Sequence, residues 1–313
     1  MMDHGLVTVI LPLYRVWAFL PAAFESLRAQ TYRNWECLCL DDGSDNDMVA
    51  RAKAFAGEDP RFVVRACPHA GVVATRNRGL AEAKGDFVTF FDQDDLLHPR
   101  FLERMVQALE ATGAGCAVCS FVAIGTESPF EPERVFPAGG DPAVESVGAP
   151  LVWALEERRD VLNVWQKVWR REALGDLFFE PRTDGADDAL FSLLSLASLS
   201  RVAVLHEPLY AHREHRASVT TCNPSRYAFA KLRCLLRLAA EVPPSARAAF
   251  RRHALWKLGG IVKDYGKMDY PAATHRAIGR GVGVVLRACG LSPLRWSLGK
   301  CLRYWRYRRR YRR

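Results

Sequence analysis

GVVATRNRGLAEAKGDFVTFFDQDDLLHP, residues 71–99, holds in one run the unit from which the chain is built. Val73 to Ala83 reads as a helix, and Phe87 to Phe91 is a short apolar run of the kind a buried strand shows. The same alternation lies upstream. Val7 to Leu11 is an apolar run interrupted only by Thr8, and Leu20 to Gln30 carries Leu20, Phe24 and Leu27 at helical spacing. Glu36 to Leu40 and Phe62 to Arg65 read as further strands. Strand and helix in turn imply an α/β fold, a mostly parallel sheet flanked by helices, and such sheets bind ligands at the carboxyl ends of their strands.

Downstream, Pro99 to Thr112 reads as an amphipathic helix and Ala117 to Ala123 as a strand. Gly125 to Pro150, rich in Gly, Pro and Glu, reads as a long loop without a clear element, a kind of segment that is usually functional or mobile. Helical and short strand patterns resume from Val152 to Tyr210, and beyond Asn223 the pattern is helical, broken at Pro243 and Pro244. The expected organisation is a catalytic body over 1–222, a helical region over 223–290 and a basic aromatic tail over 291–313.

With 313 residues and 49% hydrophobic content the chain can bury a full core, which excludes general disorder. The net charge of +9 is unevenly placed: no Asp or Glu follows Asp269, while Arg and Lys recur to the end. Nine scattered cysteines suit reduced thiols, and Cys116 and Cys119, though spaced as C-x-x-C, read as buried small side chains because no second ligand pair accompanies them. MMDHGLVTVILPLY has no basic leader segment and reads as an opening strand, and no uncharged apolar run reaches the roughly 18 residues of a membrane span.

Three acidic clusters stand out: Asp41-Asp42-Gly43-Ser44, Asp92-Gln93-Asp94-Asp95 and Asp187-Asp188. Each has a plain alternative, since Asp-Gly-Ser is ordinary turn chemistry, Asp95 suits a helix cap and the third pair suits a helix N-terminus. Asp92-x-Asp94 at a strand end also suits a hard divalent cation that keeps positions open for phosphate oxygens. Neither the dinucleotide glycine fingerprint nor the Walker spacing is present, which disfavours nicotinamide and ATP chemistry.

The ordered set VTVILPLYR (7–15), LRAQTYRNWECLCLDDGSDN (27–46), residues 71–99, GADDALF (185–191) and EPLYAHREHRASVT (207–220) closely resembles family 2 glycosyltransferases of the GT-A fold. The resemblance implies a nucleotide pocket lined by Pro12, Tyr14, Asp41 and Asp42, with Arg76 and Asn77 beside it. It implies manganese or magnesium on Asp94, with Asp92 nearer the ribose and also a candidate ligand. Asp187-Asp188 falls on the family's Glu-Asp motif, whose second member is the general base, so Asp188 is the candidate and Asp187 the alternative. Arg213, His215 and Arg216, ahead of Ser218 and Thr220, are expected over the diphosphate. Arg15 stands where the family usually has Asn. Gln166-Lys167-Val168-Trp169-Arg170 is not the processive Q-x-x-R-W motif, being inverted at its end and placed before the base, so single-sugar transfer is expected.

The tail LSPLRWSLGKCLRYWRYRRRYRR (291–313) interleaves rings and cations, which suits an anionic membrane surface. The expectation is therefore an inverting transferase using a nucleotide diphosphate sugar, a UDP-sugar by preference. Its acceptor would be a saccharide or lipid-linked glycan of the cell surface, and the enzyme would sit in the cytoplasm at the inner face of the membrane, with no nucleic acid partner. The alternative is a catalytically silent nucleotide- or membrane-binding relative.

Overall fold

A computed structural model describes residues 5–15, 17–45, 47–126, 128–137, 143–156, 159–181, 183, 185–214, 224–265 and 272–291. Strand β1 (Val7–Leu13) runs parallel to β2 (Trp35–Asp41) and to β4 (Phe87–Phe90), and β2 runs parallel to β3 (Phe62–Ala66). The crossovers are α1 (Leu20–Arg28), α2 (Met48–Ala56) and α3 (Val72–Glu82). Val7 pairs with Trp35 and with Phe87, so β1, β2 and β4 start together; β4 stops level with Ile10 and β1 and β2 run three residues further, and Tyr14, Asp42 and Asp92 follow at the same edge. β2 lies on one side of β1 and β4 on the other, the switch point at which such sheets take their ligands.

Beyond β4 the sheet is mixed rather than parallel. β5 (Leu96–Leu97), α4 (Phe101–Thr112) and β6 (Cys116–Ile124) follow, then β7 (Val144–Gly148), β8 (Lys167–Arg170) and β9 (Arg201–Arg213). The order is β3-β2-β1-β4-β8-β6-β9-β5, with β7 on β9. β8 is antiparallel to both β4 and β6, while β6 and β9 are parallel. β8 is the VWR-containing segment outside the processive motif, and its Trp169 is fully buried. The loop expected over Gly125 to Pro150 is in part ordered: α5 (Pro132–Val135) and β7 lie within it. β7 is an exposed strand of Val, Glu, Ser and Gly whose antiparallel partner β9 is supplied from far along the chain, so no local apolar run announces it.

Side chains alternate across β1 as the pleat demands. Val7, Val9, Leu11 and Leu13 face a core with Phe24, Leu27, Phe101 and Met105, while Ile10 faces a second core with Phe90, Trp169 and Phe191. That second core is closed by α6 (Pro150–Glu156), α8 (Asp187–Ala197) and the C-terminal helices α9 (Pro224–Glu241), α10 (Arg247–Tyr265) and α11 (Ala272–Ala288). Here α7 is the short turn Arg171–Leu174. Cys116 and Cys119 are free, buried in β6, with thiols pushed up to about 12 chiefly by burial, so they are inert packing. Among the described residues no helix is long and apolar enough to cross a membrane.

Candidate active site

The sheet edge carries two polar centres side by side. The first is built from the loops after β1, β2 and β3. Asp42 donates its backbone N–H to Leu13 O at 2.9 Å, which continues the β1–β2 ladder to Tyr14. Its carboxylate accepts from the N–H groups of Ala70 at 2.8 Å and Gly71 at 3.0 Å, and His69 Nδ1 lies 2.8 Å from it. Asp41 accepts from the Ser44 hydroxyl at 2.5 Å and the Ser44 N–H at 3.2 Å. Both carboxylates are buried and bound to the loops around them. Asp-Gly-Ser therefore performs the turn chemistry its composition suggests. Gly43 takes φ +69, and a Cβ there would come within 2.8 Å of His69 N.

What this centre offers a ligand is aromatic. Tyr14 and His69 stack with ring centroids 5.0 Å apart, and the Arg15 guanidinium lies 5.0 Å from the Tyr14 ring. Pro12 sits half-buried in β1 opposite Leu40. His69 was not among the residues singled out in the sequence. It lies in a Pro-His-Ala-Gly loop with no motif of its own, and only the fold brings it to Tyr14. Arg15 adopts φ +55, a left-handed conformation in which Asn is more at ease.

The second centre gathers the other two acidic clusters. Asp187 and Asp188 open α8, where negative charge complements the helix dipole, yet both also turn to a single cation from α3. Arg76 Nη1 donates to Asp187 Oδ2 at 2.7 Å and to Asp188 Oδ1, and its Nη2 donates to Asp92 Oδ1 at 3.1 Å. Arg76, expected beside the nucleotide, is thus engaged by carboxylates. Asn77 fastens the loop before α8, giving Nδ2–H to Phe179 O at 2.8 Å and accepting Phe179 N–H at 2.7 Å. The Phe179 ring lies 5.5 Å from the Arg76 guanidinium.

The two acids of α8 are not equivalent. Asp187 gives Oδ2 to Arg76 and Oδ1 to the Gly185 N–H at 2.9 Å, and its side chain is 5% exposed. Asp188 is 26% exposed, so it is the more accessible of the two. Burial, then Asp188, lifts Asp187 to about 7 against the pull of Arg76. Burial also raises Asp92 to about 7; Arg76 draws it down while Asp95, Asp188 and Asp94 push it up. Burial alone would weaken the Arg76 cation, but three carboxylates outweigh it and hold its proton more firmly than usual.

The Asp92–Asp95 loop is held from both sides. Gln93 exchanges two 3.0 Å hydrogen bonds with the Tyr14 backbone, which ties the two centres together. Asp95 caps no helix: it is fully buried and accepts from the Tyr210 hydroxyl at 2.7 Å and the Arg213 N–H at 2.7 Å. Arg213 donates to the carbonyls of Asp94 at 2.7 Å, Gly125 at 3.0 Å and Thr126 at 2.8 Å, so in this conformation it braces the loop from beneath. His215 and Arg216 lie outside the described residues, as does the tail beyond residue 291.

A divalent cation fits the chemistry of this loop. Burial first, and then the neighbouring carboxylates, lift Asp92 and Asp187, and three carboxylates around one guanidinium leave an excess of negative charge that a hard cation would relieve. Among the described residues no three Asp, Glu, His or Cys close a cage, and one or two carboxylates completed by substrate phosphates is the way magnesium is commonly held.

A switch-point sheet with an aromatic platform beside a carboxylate centre defines an α/β protein of the GT-A class, and its fold agrees with solved members. The structure of S. aureus TarS 1-349 in complex with UDP-GlcNAc superposes with a TM-score of 0.68 at 17% identity, covering 90% of this chain and 81% of that one. Residues 8–153 match the family profile described as glycosyl transferase family 2. Over those residues the chain is a glycosyltransferase family 2 domain. The uncharacterized glycosyltransferase EpsJ of Bacillus subtilis is 27% identical over 217 residues, 69% of this chain and 63% of EpsJ. The Escherichia coli protein named UDP-Glc:alpha-D-GlcNAc-diphosphoundecaprenol beta-1,3-glucosyltransferase WfgD is 36% identical over 110 residues, 34% of this chain and 42% of that one. The chain thus spans less than two thirds of the length of both of these relatives.

Proposed function

We propose that the chain is an inverting glycosyltransferase that moves one sugar from a UDP-sugar to a saccharide or lipid-linked acceptor of the cell surface. The observation that carries this reading is the convergence of Asp92 with Asp187 and Asp188 beside the Tyr14 platform, on the one edge where β1, β2 and β4 end. The nucleotide base would rest by Tyr14 and His69, with the diphosphate toward Asp92 and Asp94. Asp94 and Asp92 would hold manganese or magnesium, which when bound would neutralise charge on the departing diphosphate.

Asp188, the more exposed acid, would accept the proton of the acceptor hydroxyl as its oxygen bonds to the anomeric carbon and the bond to the diphosphate breaks. Attack opposite the leaving group inverts that carbon. Gln93 and Asp95 would keep the donor loop in register with the base platform, and Arg213 would support the loop from below. Arg213, with His215 and Arg216 added, would engage the diphosphate only after rearrangement.

The acceptor class rests on WfgD's printed name and on the basic C-terminal end. On α11, Arg280 and Arg287 are exposed beside Val284, which is 41% exposed, and the tail continues the same mixture. We read this end as the contact with an anionic inner membrane surface. Deleting 292–313 should release the protein from anionic vesicles and leave donor hydrolysis nearly unchanged.

Calorimetry with UDP tests the donor site: affinity should fall at least about tenfold with chelator or in Asp94→Ala, the scale of loss when a metal site is disturbed. Equal affinity with and without metal would remove Asp94 from the reading. Release of free sugar from UDP-glucose, UDP-galactose, UDP-GlcNAc or UDP-GalNAc with manganese tests the activity, and hydrolysis of none of them would overturn it.

A further inference from the structure

We propose that Arg76 is the positioning residue of this transfer reaction, holding Asp188 at the start of α8 in a fixed relation to Asp92 on the donor-side loop. The proposal rests on the function just given. Its basis is the way one buried guanidinium is used. Nη1 is shared by Asp187 and Asp188, Nη2 takes Asp92, and Nε has no hydrogen-bond partner among the described residues. Apart from the Phe179 ring, the polar partners that hold this side chain are carboxylates 16, 111 and 112 residues away in sequence. Arg213, by contrast, is fixed through the carbonyls of Asp94, Gly125 and Thr126, as suits a side chain that shapes a loop.

Two further features set the reach of Arg76. One turn along α3, Gly79 lies against β1 so closely that a Cβ would come 2.4 Å from Ile10 Cγ2, so the helix carrying Arg76 can press onto the sheet. The neighbouring Asn77 clamps the backbone of Phe179, whose ring lies against the guanidinium. A planar fork can hold three acids on two elements at once, whereas a lysine ammonium is a point charge on a flexible stem and cannot fix the same geometry. A base displaced by about 1 Å loses about a hundredfold in rate, so the brace acts on turnover rather than on donor affinity.

The test uses the full chain with manganese and whichever of the four UDP-sugars it hydrolyses fastest. Arg76→Lys and Arg76→Ala are expected to lose about 10²-fold or more in kcat while donor KM and UDP affinity stay nearly unchanged. Added guanidinium should restore part of kcat in Arg76→Ala and none in Asp188→Asn. A folded Arg76→Lys with the kcat of the natural protein would overturn the proposal, and this variant decides the matter if Arg76→Ala does not fold. A loss of UDP affinity equal to the loss of kcat would instead make Arg76 a nucleotide ligand, and a folded Arg76→Ala that guanidinium does not rescue would make it merely structural. If the natural protein hydrolyses no donor, it is the proposed function that fails, a result distinct from all of these.

Discussion

Asp41–Asp42 and Asp187–Asp188 look alike as sequence, two adjacent acids at the end of an element, and the fold uses them in opposite ways. Asp41 and Asp42 are bound by donors of nearby loops, Ser44, Ala70 and Gly71, with His69 beside Asp42, so each carboxylate helps to hold the turn it sits in. Asp187 and Asp188 share one guanidinium with Asp92, so three acids face one cation, and burial together with the neighbouring Asp188 lifts Asp187 to about 7 against the pull of Arg76. Acids brought together over a hundred residues and left short of counter-charge are poised for a proton or a metal ion.

The difference can be broken most sharply at the exposed acid of the second pair. Asp188→Asn should lower donor turnover by about 10²–10⁴-fold, the range for loss of a positioned base, with the melting temperature little changed. If Asp187→Asn is the dead variant and Asp188→Asn stays active, the base is one residue earlier. A pH series sharpens the same contrast. Because burial raises Asp187 and Asp92 in the folded state, they favour folding most fully below the unfolded carboxylate range, and that contribution is lost as pH rises through about 7. Metal-free protein should lose stability by roughly 2 kcal/mol per pH unit between about pH 5 and 7, about half from each acid, and Asp187→Asn should flatten the slope. Denaturant melts across that range check it, and an unchanged slope in Asp187→Asn would remove Asp187 as the cause.

The first pair should answer in stability. Asp42→Ala leaves the Ala70 and Gly71 N–H groups without their acceptor and should cost about 1–3 kcal/mol in a urea melt. A loss confined to turnover would show that Asp42 belongs with the second pair after all. The smallest effect is expected next door. Arg15→Asn relieves a left-handed backbone at φ +55 and should stabilise the chain by up to about 1 kcal/mol, despite losing the exposed ion pair with Asp45. A net loss of stability would mean that the Arg15 contact with Tyr14 outweighs the strain.

Much of this arrangement was legible in the chain because its signals are local. Short apolar runs and helical spacing place β1, α1, β2, β3, α3 and β4, and two of the acid clusters follow the strands that carry them. β7 was not legible, since a short polar strand gains its order from β9. Gln93 sat unremarked between two aspartates, and its role appears only when the Tyr14 backbone comes within 3.0 Å. His69 and Asp95 were similarly hidden, for the stacking partner of one and the hydroxyl and backbone N–H partners of the other come from elements distant in the chain.

The sequence by itself determined the alternating α/β order, the acids at strand and helix ends and the family resemblance, because each is written in neighbouring residues through periodicity, turn chemistry and ordered motifs. Tertiary structure alone decided which acids are bound by donors of nearby loops and which share one guanidinium. It decided too that Asp188 rather than Asp187 faces outward and that Arg76 stands between the two acidic elements. The physical reason is that the charge environment of a carboxylate is set by what lies within a few ångströms of it. Here those neighbours arrive from α3, β4 and α8, which only the folded sheet brings together.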